Sequence, residues 1–437
     1  MIKRLACLAA AVLAVPAFAA DLNDAVRKDY DAYLEGLFDH FHRNPELSTV
    51  EFKTAKRMAD ELRAAGFAVT ENVGGTGVVA MLENGAGPLV MMRADMDGLP
   101  VEEKSGLEYA SRATQKDPIT GNSVFTMHAC GHDVHITSMV GTARQMASRK
   151  DEWNGTLMLV VQPAEERVLG ARAMKDDNIW DRFGKPDYAL ALHVSSSDVA
   201  GLINVSEGSP YAGADTVDII IHGVGAHGAS PHRGKDPIVL GSQIVLALQT
   251  LVSRELSPRD PGVVTVGSFH SGTKHNIISD EAHLQLTVRN TSEETRAILL
   301  SGIKRIAENM GRVAGLPDDK LPEVIVSEES VPPTNNNGEL ARRLKVAWAD
   351  AMGDGAVVDI PTKGMGAEDF PYFTDDPAIP SVYWAIGGTP QEDFATELAG
   401  GPPVPSHHSP LFKISPEPAV RSGVESTVVA LLALLQE

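Results

Sequence analysis

The sequence is poor in cysteine and in positive charge. Its 437 residues include only two cysteines, Cys7 and Cys130, which excludes a scaffold held together by several disulfides. Lysine and arginine number 38 against 58 aspartates and glutamates, so the formal net charge is −20. Because phosphate backbones and anionic lipids repel such a chain, we expect no nucleic-acid partner and no membrane partner for the mature protein.

Long apolar runs are also scarce, and the one that stands out lies at the start of the chain. A short basic leader over residues 1–4 precedes an apolar run over 5–15, and Ala17 and Ala19 form a small-x-small cleavage pattern. This order predicts a signal peptide over residues 1–19 and export to the periplasm. The run is too short to span a bilayer, and we expect no later stretch to be long and apolar enough for a membrane helix. Cleavage would leave Cys130 alone, and a lone thiol in an oxidising compartment needs burial or a metal ion.

Residues 127–135 concentrate a thiol, three imidazoles and a carboxylate in one short segment. Cys130 and His132 are two positions apart, so in an extended segment or tight turn their side chains leave on the same side and can meet one ion. Apolar residues at helical spacing follow, which places the cluster at the N-terminus of a helix with one buried stripe, where the dipole favours thiolate and carboxylate. A buried free cysteine beside surface histidines is the alternative, but this density of ligands favours a metal site.

Helical and strand-like segments alternate through the first half of the chain. Residues 24–65 have a helical pattern with a break at Pro45, and strand-like apolar runs follow at 77–82, 88–93, 156–162 and 189–193. Near-continuous apolar strands between helices are typical of a parallel sheet with helices on both faces.

Polar residues follow directly where these apolar runs stop. The runs lead into an aspartate pair that includes Asp97, into the pair Glu165 and Glu166, and into His193. In open α/β sheets, ligands bind beyond the carboxyl ends of the strands. We therefore expect these groups to converge on one crevice with Cys130 and His132.

The pattern changes near residue 212, where a strand (215–221), a helix (237–256), two strands (263–269 and 282–288), a helix (292–314) and a strand (323–327) follow. This order predicts a compact two-layer α+β unit inserted in the sheet domain. A further helix from Glu339 and an apolar run at 381–386 would complete the first domain. The predicted organisation is an α/β catalytic domain over 20–211 and 333–437, with a mixed, largely parallel sheet, and an inserted lid or dimerisation domain over 212–332.

Seven separated motifs resemble the amidohydrolase branch of the aminoacylase-type binuclear metallopeptidases, which includes hippurate hydrolases, N-acyl amino acid amidohydrolases and plant auxin-conjugate hydrolases. The motifs are RADMDGLP (93–100), MHACGHD (127–133), QPAEE (162–166), LHV (192–194), GAHGASPH (225–232), GMGAEDF (364–370) and HSP (408–410). They occur in order over nearly the whole mature chain, and they imply a zinc-peptidase-like fold.

The resemblance implies a centre of two divalent metal ions, Mn²⁺, Zn²⁺ or Co²⁺, with Glu165 as general base and Asp97 as a carboxylate that supports the ligands from behind. Five side chains would hold the ions: Cys130, His132, Glu166, His193 and His408. Neighbouring glutamates point in opposite directions in an extended segment, so one can bind metal while the other faces water. His407 remains an alternative to His408, and the other two histidines of the cluster are expected to support the ligands.

In the inserted unit, the resemblance implies that His227 stabilises the tetrahedral oxyanion and that Asn276 and Arg289 hold the substrate's carboxylate. A fixed guanidinium suits a planar carboxylate, although such residues in isolation are usually surface or capping groups. The resemblance also implies that units of this kind pair two subunits, which would hide a free sheet edge. A homodimer is therefore expected, with His227 acting in the partner's site or after domain closure.

The sequence departs from the family pattern on what we expect to be the acyl side. Arg167 and Val168 follow Glu166 where the family commonly has glycine, and the residues around Asn276 also differ. The predicted function is an exported metal-dependent amidohydrolase for N-acyl amino acids or small peptide-like compounds. The alternatives are a dipeptidase or metallo-carboxypeptidase of the same fold and a periplasmic metal or solute carrier without turnover. A carrier has no use for an unliganded carboxylate such as Glu165 beside the metal.

Overall fold

Helices and strands alternate along the chain in the computed structural model, which describes residues 17–360 and 364–436. Most of the predicted signal peptide, residues 1–16, lies outside the described residues. The helices α1 to α12 span Ala17–Asp29, Glu35–Arg43, Phe52–Ala64, His132–Ser148, Gly170–Asp176, Ile179–Phe183, Pro237–Thr250, Glu293–Val313, Gly338–Met352, Pro371–Thr374, Gln391–Leu398 and Pro416–Leu435. The strands β1 to β18 span Ala68–Val73, Gly77–Asn84, Leu89–Asp95, Thr114–Lys116, Ser123–Phe125, Gly155–Gln162, Tyr188–Val199, Ile203–Asn204, Gly208–Tyr211, Gly213–His222, Ala226–His227, Gly262–Ser271, Ile277–Ile278, Glu281–Asn290, Glu323–Val326, Thr334–Asn336, Val357–Val358 and Ser381–Thr389.

An eight-stranded sheet forms the centre of the larger domain, in the order β1-β2-β6-β3-β7-β18-β8-β17. The central strands β6, β3, β7 and β18 are parallel neighbours, whereas β2 runs antiparallel to both β1 and β6 and β8 runs antiparallel to β18. The predicted mixed, largely parallel sheet is confirmed. Helices cover both faces of the sheet because the central strands are apolar on both faces. Val90 and Met92 of β3 share a core with α4 and α12. Met91, between them, shares the opposite core with α5 and α6.

Two long apolar helices, α4 and α12, pack against each other beside this sheet. Every residue of α4 from position 132 to 143 is buried, so the burial includes the predicted apolar stripe and extends round the rest of the helix. With the sheet on one side and α12 on the other, no face of the first three turns meets solvent.

Two helices, Pro416–Leu435 and Pro237–Glu255, are long and apolar enough to cross a membrane by length and composition, with mean hydropathies of 1.4 and 1.3. The expectation that no later stretch would reach that length and apolarity is therefore wrong. Of the apolar window in α12, 83% is buried inside the protein, so its place in the core accounts for its composition. The corresponding share for Pro237–Glu255 is 33%, because only one face of that helix packs on a sheet.

A second sheet of four antiparallel strands, in the order β12-β14-β10-β15, lies within residues 213–326. α7 and α8 pack on it over a core that includes Ile219, Leu248 and Leu286. The predicted order of strand, helix, two strands, helix and strand is confirmed, with the short pair β11 and β13 in addition. Ala214 and Val331 exchange two backbone hydrogen bonds with N···O distances of 2.9 and 2.8 Å, so the chain enters and leaves this unit at one place.

Candidate metal centre

Two strands of the large sheet, β3 and β6, end at one edge, and β7, which continues to Val199, passes the same place at His193. β3 ends at Asp95, β6 leads into Glu165 and Glu166, and β7 carries His193. Atoms of these side chains lie close to those of the Cys130 segment, as expected for the carboxyl edge of an α/β sheet. The crevice predicted from the strand ends is therefore present.

The Cys130 segment reaches this crevice through a tight turn at Gly131, which precedes α4. Gly131 has a φ of +84°, and a Cβ at this position would lie 2.3 Å from the Cγ1 atom of Val194. Both the backbone conformation and the available space therefore require glycine. The turn places Cys130 just before the helix and His132 at its first residue, with both side chains in the crevice.

All five side chains predicted as metal ligands come together. The Sγ atom of Cys130 lies 3.5 Å from Nε2 of His193. Nε2 of His132 lies 3.9 Å from a carboxylate oxygen of Glu166, whose other oxygen lies 3.3 Å from Nε2 of His408. In each of the two groups Cys130, His132, His193 and Cys130, Glu166, His408, the potential ligand atoms lie within 4.8 Å of one another.

The two buried imidazoles of the cluster are held in one orientation by backbone carbonyls. Nδ1 of His132 donates to the carbonyl oxygen of Asp97 at 2.9 Å, and Nδ1 of His193 donates to the carbonyl oxygen of Val194 at 2.7 Å. Since a carbonyl oxygen can only accept, each ring carries its proton on Nδ1 and turns the lone pair of Nε2 into the cluster. This is the arrangement by which proteins orient histidine ligands.

The residues of the cluster fit divalent cations. Among the described residues, buried atoms without a hydrogen-bond partner at this site include Nε2 of His132, one oxygen of Glu166 and one oxygen of Asp97. Burial, followed by the charge of Glu166, raises the pKa of the Cys130 thiol, so the thiolate needs a nearby cation. Sulfur, imidazole nitrogen and carboxylate oxygen together suit borderline ions such as Zn²⁺, Mn²⁺ or Co²⁺.

Asp97 contacts the ligand residues without belonging to the closest groups. One of its carboxylate oxygens accepts from the hydroxyl of Ser48 at 2.6 Å and from the backbone N–H of Glu166 at 3.1 Å. Its carbonyl orients His132, as described above. Asp97 therefore supports two of the predicted ligands from behind.

The remaining histidines of the two motifs are placed differently: His135 and His407 bond to other groups, whereas neither ring nitrogen of the buried His128 has a hydrogen-bond partner in the described part of the chain. His135 donates from Nδ1 to Asp95 at 2.5 Å and accepts the backbone N–H of Val194 at Nε2, so both ring nitrogens are engaged. Burial lowers the pKa of His128 to about 4 and keeps that ring neutral. His407 accepts the backbone N–H of Ser196 at 3.2 Å. The structure thus brings His408, and not His407, beside Glu166.

Glu165 lines a cavity of about 910 Å³, together with Cys130, Glu166, His193 and His408. The residue is only 7% exposed. Burial, and then the neighbouring carboxylates of Glu368 and Glu166, raise its pKa well above the ordinary value. A carboxyl group of this kind can accept and return a proton beside the cluster.

Arg289, at the end of β14, lines the same cavity. It is half-buried, and burial lowers the pKa of its guanidinium. The nearby carboxylate of Asp215 forms an ion pair with Arg296, with an N···O distance of 2.7 Å. Within the described ranges Arg289 has no ion-pair partner, so its charge is available to a ligand in the cavity.

His227 and Asn276 lie together but away from the metal cluster of the same chain. β11 pairs with β13, and the backbone N–H of Gly228 donates to the carbonyl of Asn276 at 2.8 Å. Both residues line a separate open pocket of about 540 Å³, together with Lys274. Within one chain, the structure therefore joins Arg289, but not His227 or Asn276, to the cavity of the predicted metal ligands.

A buried ionic network behind the cluster was missed by the sequence analysis. The guanidinium of Arg93 is fully buried in β3 and pairs with Asp95 at 2.8 Å and Glu368 at 2.6 Å. The phenol of Tyr383 also donates to Glu368 at 2.7 Å, and Asp369 accepts from the side chain of Gln162 at 2.6 Å. The available signal was an arginine in the middle of an apolar strand, because such a residue requires buried carboxylates.

Comparison with known proteins agrees with this geometry. Residues 91–398 match the peptidase family M20/M25/M40. Thermostable carboxypeptidase 2 of Saccharolobus solfataricus is 34% identical over 364 residues, which cover 82% of this chain and 87% of the relative. Hippurate hydrolase of Campylobacter jejuni is 33% identical over 349 residues, which cover 79% and 86%.

A solved structure supports the same conclusion. The YXEP protein of Bacillus subtilis, a dinuclear metal-binding peptidase of the M20 family, superposes with a TM-score of 0.76 at 26% identity, over 93% of this chain and 99% of that one. The resemblance inferred from the seven motifs is confirmed, and so is a centre for two divalent metal ions. The chain belongs to the peptidase family M20/M25/M40 and is a metal-dependent hydrolase of amide or peptide bonds.

Proposed function

We propose that this enzyme is an exported amidohydrolase that cleaves the amide bond of an N-acyl amino acid, with Glu165 as general base. The observation that carries the proposal is the shared cavity: Arg289, which has no carboxylate partner among the described residues, lines the same cavity as Glu165 and four of the predicted ligands. A cleft with a hydrolytic centre and a free guanidinium suits a substrate with an amide and a carboxylate.

Arg289 and Glu165 have separate roles in the proposed hydrolysis. Arg289 binds the substrate's carboxylate and orients the amide over the cluster. Divalent cations, when bound, supply the positive charge that polarises the amide carbonyl and acidifies the attacking water. Glu165 takes a proton from that water and delivers it to the nitrogen of the leaving amino acid. Because Glu165 is nearly buried, bulk water does not compete for this proton.

The contacts of the two neighbouring glutamates support this assignment. Both oxygens of Glu166 face imidazoles, at 3.3 Å from His408 and 3.9 Å from His132. Among the imidazoles of the predicted ligands, Glu165 approaches His132 at 3.9 Å, and its other close neighbours are the carboxylates of Glu166, Glu368 and Asp369. Glu166 therefore has the surroundings of a ligand, and Glu165 those of a base at the edge of the cluster.

A dipeptidase or carboxypeptidase activity is the second candidate. Asp198 also lines the cavity, where its carboxylate would suit the free amino group of a peptide substrate. One of the relatives described above is a carboxypeptidase. A substrate panel separates the two activities, because a dipeptide has the amino group that an N-acyl amino acid lacks.

The test uses metal-reconstituted enzyme with N-acetyl and N-benzoyl amino acids, their carboxamides, and dipeptides. We expect the N-acyl amino acids to be cleaved best and their carboxamides poorly. Arg289→Met should lower kcat/KM for the free acids by about 10- to 100-fold, the value of one charged hydrogen-bonded pair, and should leave the carboxamides unaffected. Arg305→Met serves as the control, because Arg305 is exposed on α8 and pairs with Glu255. Equal cleavage of acids and carboxamides would contradict the role of Arg289, and preference for dipeptides would favour the second candidate.

We further propose that the inserted unit pairs two subunits and that the enzyme works in the periplasm. The support for pairing is apolar exposure on one helix face: Val239 is 53% and Leu246 73% exposed. Inactive His227→Ala and inactive Glu165→Gln subunits should regain activity when mixed under exchange conditions if His227 acts in the partner's site. Confirmed exchange without activity would assign His227 to closure within one chain. The support for export is the leader pattern of residues 1–19, which N-terminal sequencing of the mature protein tests.

A further inference from the structure

The loop between β6 and α5 carries both Glu165 and Glu166, and its backbone is strained. Ala164 and Val168, which flank the two glutamates, have φ angles of +50° and +51°. Left-handed backbone is unfavourable for any residue with a Cβ and most of all for a β-branched one. Such a conformation persists only where the surroundings impose it, so the loop must be held from outside.

Three carboxylates from three distant segments accept backbone N–H groups here, two from this loop and one from the first turn of α5. Glu51 accepts from Ala164 at 2.8 Å, Asp97 accepts from Glu166 at 3.1 Å, and Asp369 accepts from Ala171 at 3.0 Å. The hydrogen bond to Glu51 holds Ala164, the residue directly before Glu165. The bond from Asp97 holds Glu166 separately.

Glu51 is buried and has no evident structural task other than this loop and its own turn. The residue is 0% exposed. One oxygen accepts the backbone N–H groups of Thr49 and Ala164, both at 2.8 Å, and the other accepts the hydroxyl of Thr76 at 2.6 Å. In the described part of the chain it bonds to none of the predicted ligands. Burying a carboxylate without a cation costs free energy. The three hydrogen bonds from Thr49, Ala164 and Thr76 offset that cost only while the donors keep these positions.

We infer that Glu51 is a positioning residue for the general base: it fixes Ala164 and thereby the place of Glu165 relative to the substrate. The inference rests on the proposed role of Glu165. Because Glu166 has its own anchor in Asp97, loss of the Glu51 bond should displace the base more than the ligand. The signature is a fall in kcat with little change in KM or in metal content.

The test compares Glu51→Met with Glu51→Gln. Methionine keeps the length of the side chain but removes the acceptor, whereas glutamine keeps one oxygen for Thr49 and Ala164 and can place its amide toward the Thr76 hydroxyl. Misplacement of a reacting group by about 1 Å costs roughly 100-fold, so we expect Glu51→Met to lower kcat by about 10- to 100-fold with KM within about twofold. Glu51→Gln should restore most of kcat. Both variants should bind the same amount of metal as the wild type.

Glu46 provides a matched control in the same segment. It is also a buried carboxylate with three hydrogen bonds, from the backbone N–H groups of Lys53 and Thr54 and from the Thr54 hydroxyl, but it caps α3 and does not touch the loop. Glu46→Met should lower thermal stability and leave kcat unchanged. If Glu51→Met does not fold, Thr76→Val removes one of the donors that orient Glu51 and should lower kcat in the same direction by a smaller factor.

Three results would overturn the inference. These are a wild-type kcat in Glu51→Met or Thr76→Val, a loss of kcat that only follows a loss of metal, and an equal loss of kcat in Glu46→Met. Each variant is assayed with whichever amide the wild type cleaves fastest. A wrong substrate class would therefore appear as poor turnover by the wild type, while a wrong role for Glu51 appears only in the comparison between variants.

Discussion

Replacing Glu165 by glutamine should abolish turnover and, at the same time, stabilise the metal-free protein. The loss of activity follows from the base role, which is typically worth about 10²- to 10⁴-fold. The gain in stability follows from the surroundings, since Glu165, Glu368 and Asp369 place carboxylate oxygens within 4.8 Å of one another. Two unit charges at that separation repel by about 3 kcal/mol at an effective dielectric constant of 20.

The sign of the pH dependence can be worked out from the same contacts. Burial and then Glu368 raise the folded-state pKa of Glu165, so this group binds its proton more tightly in the native than in the unfolded protein. The native state therefore loses stability as pH rises from the unfolded value near 4.5 towards the raised value. Glu165→Gln removes this loss. The repulsion applies only where Glu165 is ionised, so the gain in stability should grow as pH rises.

The measurement combines thermal unfolding of chelator-treated protein between pH 4 and 8 with kcat and metal content after reconstitution. We expect Glu165→Gln to unfold at a higher temperature than the wild type above pH 5, to bind the normal amount of metal and to turn over at least 100-fold more slowly, as removal of a general base implies. Glu166→Gln is the matched neighbour and should lose metal instead. Metal loss in Glu165→Gln with retention in Glu166→Gln would show that the two roles are exchanged.

Two further sites give direct tests. Treatment with a chelator should abolish hydrolysis, and Mn²⁺, Zn²⁺ or Co²⁺ should restore it; full activity in metal-free protein, shown by elemental analysis, would refute a metal-dependent mechanism. Cys130→Ala should weaken metal retention in equilibrium dialysis through loss of one ligand, and unchanged metal content would exclude the thiol as a ligand. For His42, burial lowers the pKa but hydrogen bonds to Asp133 and Glu103 outweigh it and raise the pKa to about 9. Its contribution is therefore fully present below the unfolded value of 6.5 and lost as pH rises through about 9, so the unfolding temperature should fall across that interval and His42→Gln should flatten the profile.

The site could be predicted from the sequence where its residues stand at the ends of apolar strands or close together in one motif. Glu165, Glu166 and His193 follow apolar runs, and Cys130 and His132 share a turn, so local pattern and general sheet geometry place them together. The relation of His227 to the cluster could not be predicted in this way. It depends on the arrangement of the two domains and, in the dimer we propose, on the second subunit, and periodicity in the sequence carries no information about either.

The direction in which neighbouring strands pair and the long-range hydrogen bonds could not be predicted from the sequence either. The apolar run of β2 resembles those of β3 and β6, although β2 pairs antiparallel with β6, because burial on both faces demands the same residues whichever way a strand runs. The full burial of α4 was missed because its second neighbour, α12, lies nearly 300 residues later in the chain. Glu51 showed no signal, since its partner at Ala164 is a backbone group that any residue would supply.

A competing interpretation, a periplasmic carrier without turnover, fails because the chain belongs to a family of hydrolases. The placement of Glu165 agrees with this outcome. Glu165 lies within 4.8 Å of two predicted ligands, His132 and Glu166, and it shares a cavity with Arg289, which has no ion-pair partner among the described residues. A protein that only retained a metal ion would be more stable without this carboxylate.

The paired backbone bonds between Ala214 and Val331 have a consequence for engineering. Because the two crossing segments lie side by side, the catalytic half of the chain is interrupted at one point in space, and a short turn can bridge the gap at little cost in loop entropy. The inserted unit has its own sheet and its own apolar core. The inserted unit is therefore a module that can be excised or exchanged for that of a relative. Such chimaeras would transfer substrate preference. The predicted metal ligands, Glu165 and Glu51 would remain those of the parent enzyme.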